Sequence, residues 1–294
     1  MSYKYYKHYY GIKMKTFSFT SLSLLTLTSS AFADFTVTTW NTKHIGRRNF
    51  DIDRAALVVS HSDLIVLQEV NSTPSGTQAV TALAQTLSER LATKFCVGLS
   101  EIPTDANERY AVLWREDRLA YMTTNGQVVT SCPAFAITVR LGSANADKIV
   151  REPAVARFQE VSSGHRFWVA TIHTVPTSKN PAAEIPYVFD AAMKTAPNSP
   201  WIVAGDFNLG CADPSFSSAA ALGFVAVLPC HVPTSLKSMT RELNKPYDNI
   251  LVKGMRTGEG KVLNLYLQFP DMAQDEVYRN LSDHSPVTAQ IHLD

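Results

Sequence analysis

Short apolar runs, most of them followed by a polar residue, dominate the pattern of this chain. Runs at 35–40, 64–70, 95–99, 111–114, 155–158, 166–172, 201–206 and 247–252 are rich in Val, Ile, Leu and aromatic residues. This length and composition predict β-strands, and a further strand is expected to begin at Leu281. The run at 64–70 is apolar at consecutive positions, which is typical of a strand covered on both faces of its sheet.

Helical spacing of apolar residues is clearest between Ser75 and Thr93, where Val80, Leu83 and Leu87 recur on one face. Shorter helices are predicted at 51–61, 180–196 and 213–222, although Pro186 interrupts the pattern of the second of these. Strands outnumber helices, and the helices fall between groups of strands. The pattern therefore predicts an α+β fold with mixed sheets and helices outside them.

The N-terminus carries a different pattern. An apolar, hydroxyl-rich run from Phe17 to Ser30 follows two lysines and ends in Ala31-Phe32-Ala33. This arrangement predicts a secretory signal peptide cleaved after Ala33, and the run is too short and too rich in Ser and Thr for a membrane-spanning helix. Met14 resembles a natural start better than Met1, so residues 1–33 are interpreted as an N-terminal extension with a signal peptide.

Composition and net charge indicate a globular domain without the strongly basic charge of many nucleic-acid-binding proteins. The chain has 294 residues, 45% hydrophobic content and a net charge of +1, which suits a globular domain with a sizeable core. Removal of residues 1–33 takes away four lysines and no acid, which leaves a net charge of −3. Bulk charge therefore does not indicate a nucleic-acid binder, and contact with a polyanion would need a local patch or a bound cation.

Four cysteines lie beyond residue 33, an even number that suggests disulfides in an exported chain. Three pairings are possible. We expect Cys96 with Cys132 and Cys211 with Cys230, because each bond closes a local loop. No Cys or His spacing indicates zinc.

The segment from Trp201 to Asn208 is the strongest candidate for chemistry. A buried strand runs into Gly205, which allows a turn or the close approach of another chain. Asp206 and Asn208 follow two positions apart, so on an extended chain both side chains would leave the same face. The alternative is an Asx turn without function. Glu69 is a second candidate, because an acid within an apolar strand is costly unless it is paired or bound to a metal.

The basic loop after the first strand leaves two interpretations open. It contains Lys43, His44, Arg47 and Arg48. These residues form either a solvated surface loop or an arm that contacts phosphate beside a site. His173 also has two interpretations. It is either part of a site or, as is common for a histidine at the end of a strand, only packed against its neighbours.

Taken together, the polar residues at strand ends contain the ingredients of metal-assisted phosphodiester hydrolysis. Carboxylates suit a hard cation, a neutral imidazole suits a base near neutral pH, and Asn and Arg stabilise developing negative charge. The set comprises Asn41, Glu69, Glu108, Arg151, His173, Asp206, Asn208, Asp248, Asp283 and His284.

These residues lie in motifs by which the chain resembles the deoxyribonuclease I family of the endonuclease/exonuclease/phosphatase superfamily. The motifs are Trp40-Asn41, Gln68-Glu69-Val70, Glu108-Arg109-Tyr110, Arg151-Glu152-Pro153-Ala154, Ile172-His173, Gly205-Asp206-Phe207-Asn208, Tyr247-Asp248 and Ser282-Asp283-His284-Ser285-Pro286-Val287. The resemblance covers residues 34–294 and implies a four-layer α/β/β/α sandwich of two mixed β-sheets flanked by helices. It also implies a secreted or periplasmic DNA endonuclease that uses Mg²⁺ (or Mn²⁺), leaves 5′-phosphate ends and acts as a monomer without stable membrane association.

The resemblance also implies a role for each site residue. His173 and His284 form the acid/base pair, which Glu108 and Asp248 orient. Asp206 and Asn208 position water or phosphate, and Glu69 is the main metal ligand with Asn41 and Asp283 near the ion. Arg151, Asn208 and Lys43 are expected to contact substrate phosphate.

Some positions depart from the family pattern. Asn71 and Ala106 replace side chains that enter the minor groove, which puts the usual groove contacts in doubt. The family partner of Cys211 is replaced by Lys245, so Cys230 is the substitute. Segments 124–150 and 232–244 lack a clear structural Ca²⁺ site, so no strong Ca²⁺ requirement is predicted. A phosphoinositide phosphatase, a sphingomyelinase and the catalytic subunit of a genotoxin remain alternatives on the same fold.

Overall fold

The computed structural model describes residues 33–103, 107–132, 136–137, 139–140 and 148–293. Residues 1–32, on which the signal-peptide prediction rests, lie outside this part, as do Ala106 and much of 124–150. Within the described part, no helix is long and apolar enough to cross a membrane.

The described strands and helices follow in chain order. They are β1 (Ala33–Ile45), α1 (Ile52–Val59), β2 (Leu64–Asn71), α2 (Pro74–Leu91), β3 (Phe95–Leu99), β4 (Glu108–Arg115), β5 (Leu119–Met122), β6 (Val128–Val129), β7 (Ala136–Ile137), β8 (Val139–Arg140), β9 (Ala154–Glu160), β10 (Arg166–His173), α3 (Ile185–Thr195), β11 (Trp201–Asp206), α4 (Ser217–Ala221), β12 (Val225–Ala226), β13 (Asp248–Lys253), β14 (Arg256–Thr257), β15 (Lys261–Val262), α5 (Leu265–Gln268), α6 (Gln274–Asn280) and β16 (Val287–Leu293).

Two mixed sheets form the centre of the fold. The first has the order β14-β16-β1-β2-β4-β3-β7, with β15 beside β16, and the second has the order β12-β13-β11-β10-β9-β5-β6, with β8 beside β9. Each sheet has a parallel pair near its middle, β1 with β2 and β10 with β11, and the strands next to each pair run antiparallel to it. At the edge of the first sheet, β7 runs parallel to β3.

Three apolar cores separate four layers. Phe35, Val66, Phe158 and Phe167 belong to the core between the sheets. A second core joins the first sheet to α1, α2, α5 and α6, and a third joins the second sheet to α3 and α4. The predicted α/β/β/α sandwich of two mixed sheets is therefore confirmed. Burial of apolar area stabilises each interface by about 25 cal/mol per Å².

Two helices and the final strand begin later in the chain than predicted. The helix predicted at 180–196 begins only at Ile185, because Asn180 is left-handed and Pro181–Ala183 form a 3₁₀ turn. Likewise, Pro214–Phe216 form a 3₁₀ turn before α4. The final strand begins at Val287 rather than Leu281.

The cysteines pair as predicted, Cys96 with Cys132 and Cys211 with Cys230. The first disulfide ties β3 to the segment after β6, and the second closes a loop after β11. Both fit an oxidising compartment such as the periplasm or the cell exterior.

Candidate active site

The direction of the strands explains why distant motifs meet at one edge of the sandwich. The carboxyl ends of β1, β2, β10 and β11 carry Asn41, Glu69, His173 and Asp206. Neighbouring strands β4 and β13 run antiparallel, so their first residues, Glu108 and Asp248, reach the same edge. Arg151 lies shortly before β9, and Asp283 and His284 lie shortly before β16, both of which are also antiparallel to a central strand.

Most of the predicted site residues line one cavity of about 410 Å³. Those on its wall are Glu69, Glu108, Arg151, His173, Asp206, Asn208 and His284. His44, Asn107 and Lys179 also line it. The sequence pattern placed His44 only in the basic loop and did not single out Lys179. The one sequence signal for Lys179 is its position six residues after His173, in a 3₁₀ turn that follows β10.

His284 is held by a buried carboxylate. Its Nδ1 lies 2.7 Å from Asp248 Oδ2, which also accepts a hydrogen bond from Thr234 Oγ1 at 2.6 Å. Burial lowers the pKa of His284, but the negative charges of Asp248 and Asp206 outweigh it, so the pKa lies well above its ordinary value. No sequence pattern pointed to Thr234, because only the fold brings it to Asp248.

His173 has a corresponding arrangement. Its Nδ1 lies 2.8 Å from Glu108 Oε1, which also accepts a hydrogen bond from Arg151 Nη1 at 2.6 Å. Burial lowers the pKa of His173, but Glu108 and then Asp206 raise it above its ordinary value, against the opposing charge of Arg151. The backbone N–H of His173 donates to the hydroxyl of Tyr110 at 3.1 Å, so Glu108 and Tyr110 of one motif both support this histidine.

Asp206 lies between the two imidazoles. Its Oδ2 is 3.6 Å from His173 Nε2 and 3.7 Å from His284 Nε2, and the residue is almost fully buried. Burial raises the pKa of Asp206, His284 opposes that rise, and the charge of Asp248 adds to it, so the pKa is raised overall. The two Nε2 atoms thus face a common point at the cavity wall.

The structure corrects the predicted geometry of Asp206 and Asn208. The strand ends at Asp206, and Asn208 is left-handed with φ 49°, so the two side chains do not leave one face of an extended chain. Instead Asn208 N donates to Asp206 Oδ1 at 2.8 Å, which is the Asx-turn contact, while Asn208 Nδ2 donates to Thr174 O at 3.1 Å. The turn nevertheless leaves both residues on the cavity wall. Gly205 is required beside it, since a Cβ there would lie 1.9 Å from Ile172 O of β10.

Glu69 is a partly buried carboxylate on the cavity wall. Its Oε1 accepts a hydrogen bond from Asn41 Nδ2 at 2.9 Å, and its Oε2 lies 3.4 Å from His44 Nε2. Asn41 Nδ2 also donates to Asp206 Oδ2 at 2.9 Å, so it links the two carboxylates. A partly exposed carboxylate in a polar cavity fits a divalent cation that keeps several waters.

Besides Asp248, which lies behind His284, three predicted residues lie beside the cavity rather than on its wall: Asn41, Lys43 and Asp283. The side-chain Oδ1 of Asn41 accepts a hydrogen bond from the backbone N–H of Lys43 at 3.0 Å, and Asp283 Oδ2 lies 3.4 Å from Lys43 Nζ. Lys43 Nζ also lies 3.3 Å from the centre of the Tyr278 ring. These contacts anchor Lys43 beside the site. The metal roles of Asn41 and Asp283 and the phosphate role of Lys43 stay predictions.

Arg47, in the same basic loop, has a structural role. Arg47 donates to the backbone carbonyls of Thr42 and Leu281 at 2.8 and 2.7 Å. This guanidinium therefore holds the loop against the segment that leads to Asp283 and His284. Asn71 also has a local role, because its Oδ1 accepts the N–H of Thr73 at 3.0 Å just before α2.

Acid is expected to destabilise the protein through Glu108. Burial raises its pKa, but His173 and then Arg151 outweigh burial and lower the pKa from 4.5 to about 2. Because the folded-state pKa lies below the unfolded one, this stabilisation is complete above the unfolded pKa of 4.5 and is lost as pH falls towards about 2. The loss of unfolding free energy is roughly 3 kcal/mol.

Urea denaturation between about pH 6 and about pH 3 measures the part of this loss that occurs above pH 3. Glu108→Gln should flatten the pH dependence, whereas Glu89→Gln on the exposed face of α2 should keep the wild-type slope. Equal slopes for wild type and Glu108→Gln would contradict the assignment.

Comparisons with known proteins identify the family to which the sequence is similar. Residues 38–284 match the model of the endonuclease/exonuclease/phosphatase family. A protein described as "Deoxyribonuclease" from Thioalkalivibrio sp. (strain K90mix) is 25% identical over 289 residues, which cover 92% of this chain and 74% of the relative.

Solved structures share the fold. An endonuclease/exonuclease/phosphatase family protein from Bacteroides thetaiotaomicron has a TM-score of 0.60 at 15% identity, with 89% of this chain and 98% of the other covered. D. rerio TDP2, complexed with a single-strand DNA product, has a TM-score of 0.57 at 14% identity and covers 88% and 99%. The mannosyl-6-phosphatase Bt3783 of Bacteroides thetaiotaomicron has a TM-score of 0.56 at 14% identity and covers 87% and 99%. The match over residues 38–284 shows that this chain belongs to the endonuclease/exonuclease/phosphatase family.

Proposed function

We propose that this protein is an exported, divalent-metal-dependent DNA endonuclease that hydrolyses phosphodiester bonds to 5′-phosphate ends. One observation carries the proposal: two buried imidazoles, each backed by a carboxylate, both approach Asp206 within 3.7 Å at a cavity that also contains Glu69. A purely structural site has no need for two histidines supported in this way. Similarity to a curated protein described as "Deoxyribonuclease" favours DNA among the phosphodiester substrates.

The two imidazoles supply the proton transfers. Each histidine binds its carboxylate through Nδ1, so its Nε2 faces the cavity and is free to exchange a proton with a substrate oxygen or a water. In-line hydrolysis needs one neutral imidazole that accepts a proton from water and one imidazolium that donates a proton to the leaving oxygen. Such acid–base assistance is typically worth about 10²–10⁴-fold in rate.

The remaining side chains position the phosphate and balance its charge. Asn208 and Arg151 present donors at the cavity wall, where they can hold phosphate oxygens. Glu69 would hold the cation, with Asn41 fixing its Oε1. When bound, Mg²⁺ or Mn²⁺ supplies Lewis-acid stabilisation of the charge that develops on the phosphoryl oxygens. The disulfides favour export, for which the predicted signal peptide would provide the route.

The direct test is nicking of supercoiled plasmid by the purified, oxidised protein with Mg²⁺ or Mn²⁺. We expect nicked circles that vanish on addition of EDTA, and 5′-phosphate ends in the products. Absence of nicking across several metals and pH values would contradict the proposal. Phosphate release from inositol lipids, or cleavage of sphingomyelin, would then assign the site to lipid phosphate esters instead. Lectin-like chains that co-purify with the protein would indicate the genotoxin alternative.

A further inference from the structure

The bulge between β1 and β2 brings His44 and Glu69 together. Asn41 pairs with Gln68 and Ile45 pairs with Val70, so three residues of β1 face the single residue Glu69 of β2. A second register shift between β2 and β4 adds to the irregularity around Glu69. Such bulges redirect side chains and are over-represented beside active sites.

The backbone of this bulge is held in a costly conformation. Lys43, His44 and Glu69 have φ values of 48°, 63° and 55°, although none of them is glycine. Each such residue costs of order 1–3 kcal/mol, and it persists only where its surroundings enforce it. Here Thr42 Oγ1 donates to Gln68 O at 2.9 Å and ties the bulge to β2. In this conformation His44 lies on the cavity wall.

The two carboxylate oxygens of Glu69 have different neighbours, and one of them faces His44. Oε1 is occupied by the amide of Asn41, whereas Oε2 lies 3.4 Å from His44 Nε2. Two ligand atoms that each lie about 2.1 Å from one ion are roughly 3.0 Å apart at a right angle and roughly 3.4 Å apart at a tetrahedral angle, so this pair is close to the spacing that one ion needs. One atom each of His44, Glu69 and Glu108 also lie within 4.8 Å of one another, though Glu108 Oε1 is engaged by His173 and Arg151.

We infer that His44 Nε2 is a metal ligand together with Glu69, and that the site therefore prefers a transition-metal ion that accepts nitrogen over Mg²⁺. This inference builds on the proposed metal-dependent hydrolysis and specifies its metal site. Imidazole suits ions such as Ni²⁺ and Zn²⁺, whereas Mg²⁺ prefers carboxylate and water. A histidine beside the carboxylate thus raises affinity for the first group without a matching gain for Mg²⁺.

Two readouts that do not depend on catalysis test this assignment. The full-length, tag-free protein is stripped of metal and titrated with NiCl₂ and with MgCl₂ in a calorimeter. Its Mn²⁺ complex is then measured by pulsed electron paramagnetic resonance for coupling to ¹⁴N. We expect Ni²⁺ to bind at least about tenfold more tightly than Mg²⁺, and the Mn²⁺ signal to show a directly bound imidazole nitrogen.

The informative variants keep the left-handed backbone at position 44. His44→Asn and His44→Gly both tolerate positive φ, so they should fold with the wild-type circular dichroism spectrum. Each should weaken Ni²⁺ binding about tenfold or more, change Mg²⁺ affinity less than about threefold, and abolish the nitrogen coupling. His165→Ala, at an exposed turn between β9 and β10, is the matched control and should behave as wild type.

Ni²⁺ affinity and nitrogen coupling that persist in both His44 variants would overturn the inference. The outcome is separable from that of the proposed function. Ni²⁺ binding through His44 in a protein that nicks no DNA would overturn only the proposed function. DNA nicking by a protein whose His44 variants bind Ni²⁺ as wild type does would overturn only the metal-ligand assignment.

Discussion

Replacement of His284 by alanine is expected to lower the rate of plasmid nicking by about 10²–10⁴-fold. Its Nε2 faces the cavity 3.7 Å from Asp206, and its Nδ1 is bound to Asp248 at 2.7 Å. Removal of the imidazole takes away a proton donor or acceptor that no other residue at that position replaces. Supercoiled-to-nicked conversion under single-turnover conditions measures the chemical step directly.

Controls separate this loss from a folding defect. His165→Ala removes an exposed histidine just before the start of β10, the strand whose opposite end carries His173, and should nick at the wild-type rate. His173→Ala should lose activity to a similar extent, because it removes the opposing proton transfer. Asp248→Asn keeps the size of the side chain but removes the charge that raises the pKa of His284. We expect it to change the pH profile as well as the rate. Near wild-type nicking by purified His284→Ala would contradict the assignment.

Replacement of Glu69 by glutamine is expected to abolish metal-dependent nicking at millimolar Mg²⁺. The substitution preserves volume but removes the negative charge that attracts the cation, and a neutral amide is a weaker ligand for a hard ion. It also disturbs Asn41, whose Nδ2 donates to Glu69 Oε1 at 2.9 Å. The loss of affinity should exceed about tenfold, as is typical when the ligand environment of a metal is altered.

Calorimetric titration with Mg²⁺ and with Ni²⁺ measures the binding defect, and nicking over a range of metal concentrations measures its consequence. Glu89→Gln, a change of the same kind on the exposed face of α2, should leave both unchanged. If a high Mg²⁺ concentration restores the full nicking rate of Glu69→Gln, then Glu69 contributes to Mg²⁺ affinity and not to the chemical step. Unchanged Mg²⁺ affinity would show that the cation is held elsewhere.

The sequence alone determined the fold class and predicted most of the residues that line the candidate site. Apolar runs bounded by polar residues predicted the strands, because burial of a sheet on both faces demands consecutive apolar positions. The cost of a lone acid in such a run singled out Glu69. The cysteine pairs also followed from the chain, since each closes a local loop.

Local structure limited the accuracy of other predictions. The helix expected from Asn180 begins at Ile185, because the left-handed Asn180 and a 3₁₀ turn come first. Asn208 forms an Asx turn rather than a continued strand, because its N–H finds an acceptor in Asp206 Oδ1 at 2.8 Å. Backbone donors at strand ends bind the nearest acceptor, and simple periodicity does not reveal which one that is.

Only the tertiary structure decided which residues act on one another. Strand direction places the ends of β2, β10 and β11 beside the starts of β4 and β13, and so joins Glu69, His173 and Asp206 to Glu108 and Asp248. Thr234 reaches Asp248, and His44 reaches Glu69, through a loop and a bulge that leave no periodic signal in the sequence. Sequence patterns report burial, which is local to each strand, whereas contacts between side chains at strand ends depend on how strands far apart in the chain are paired.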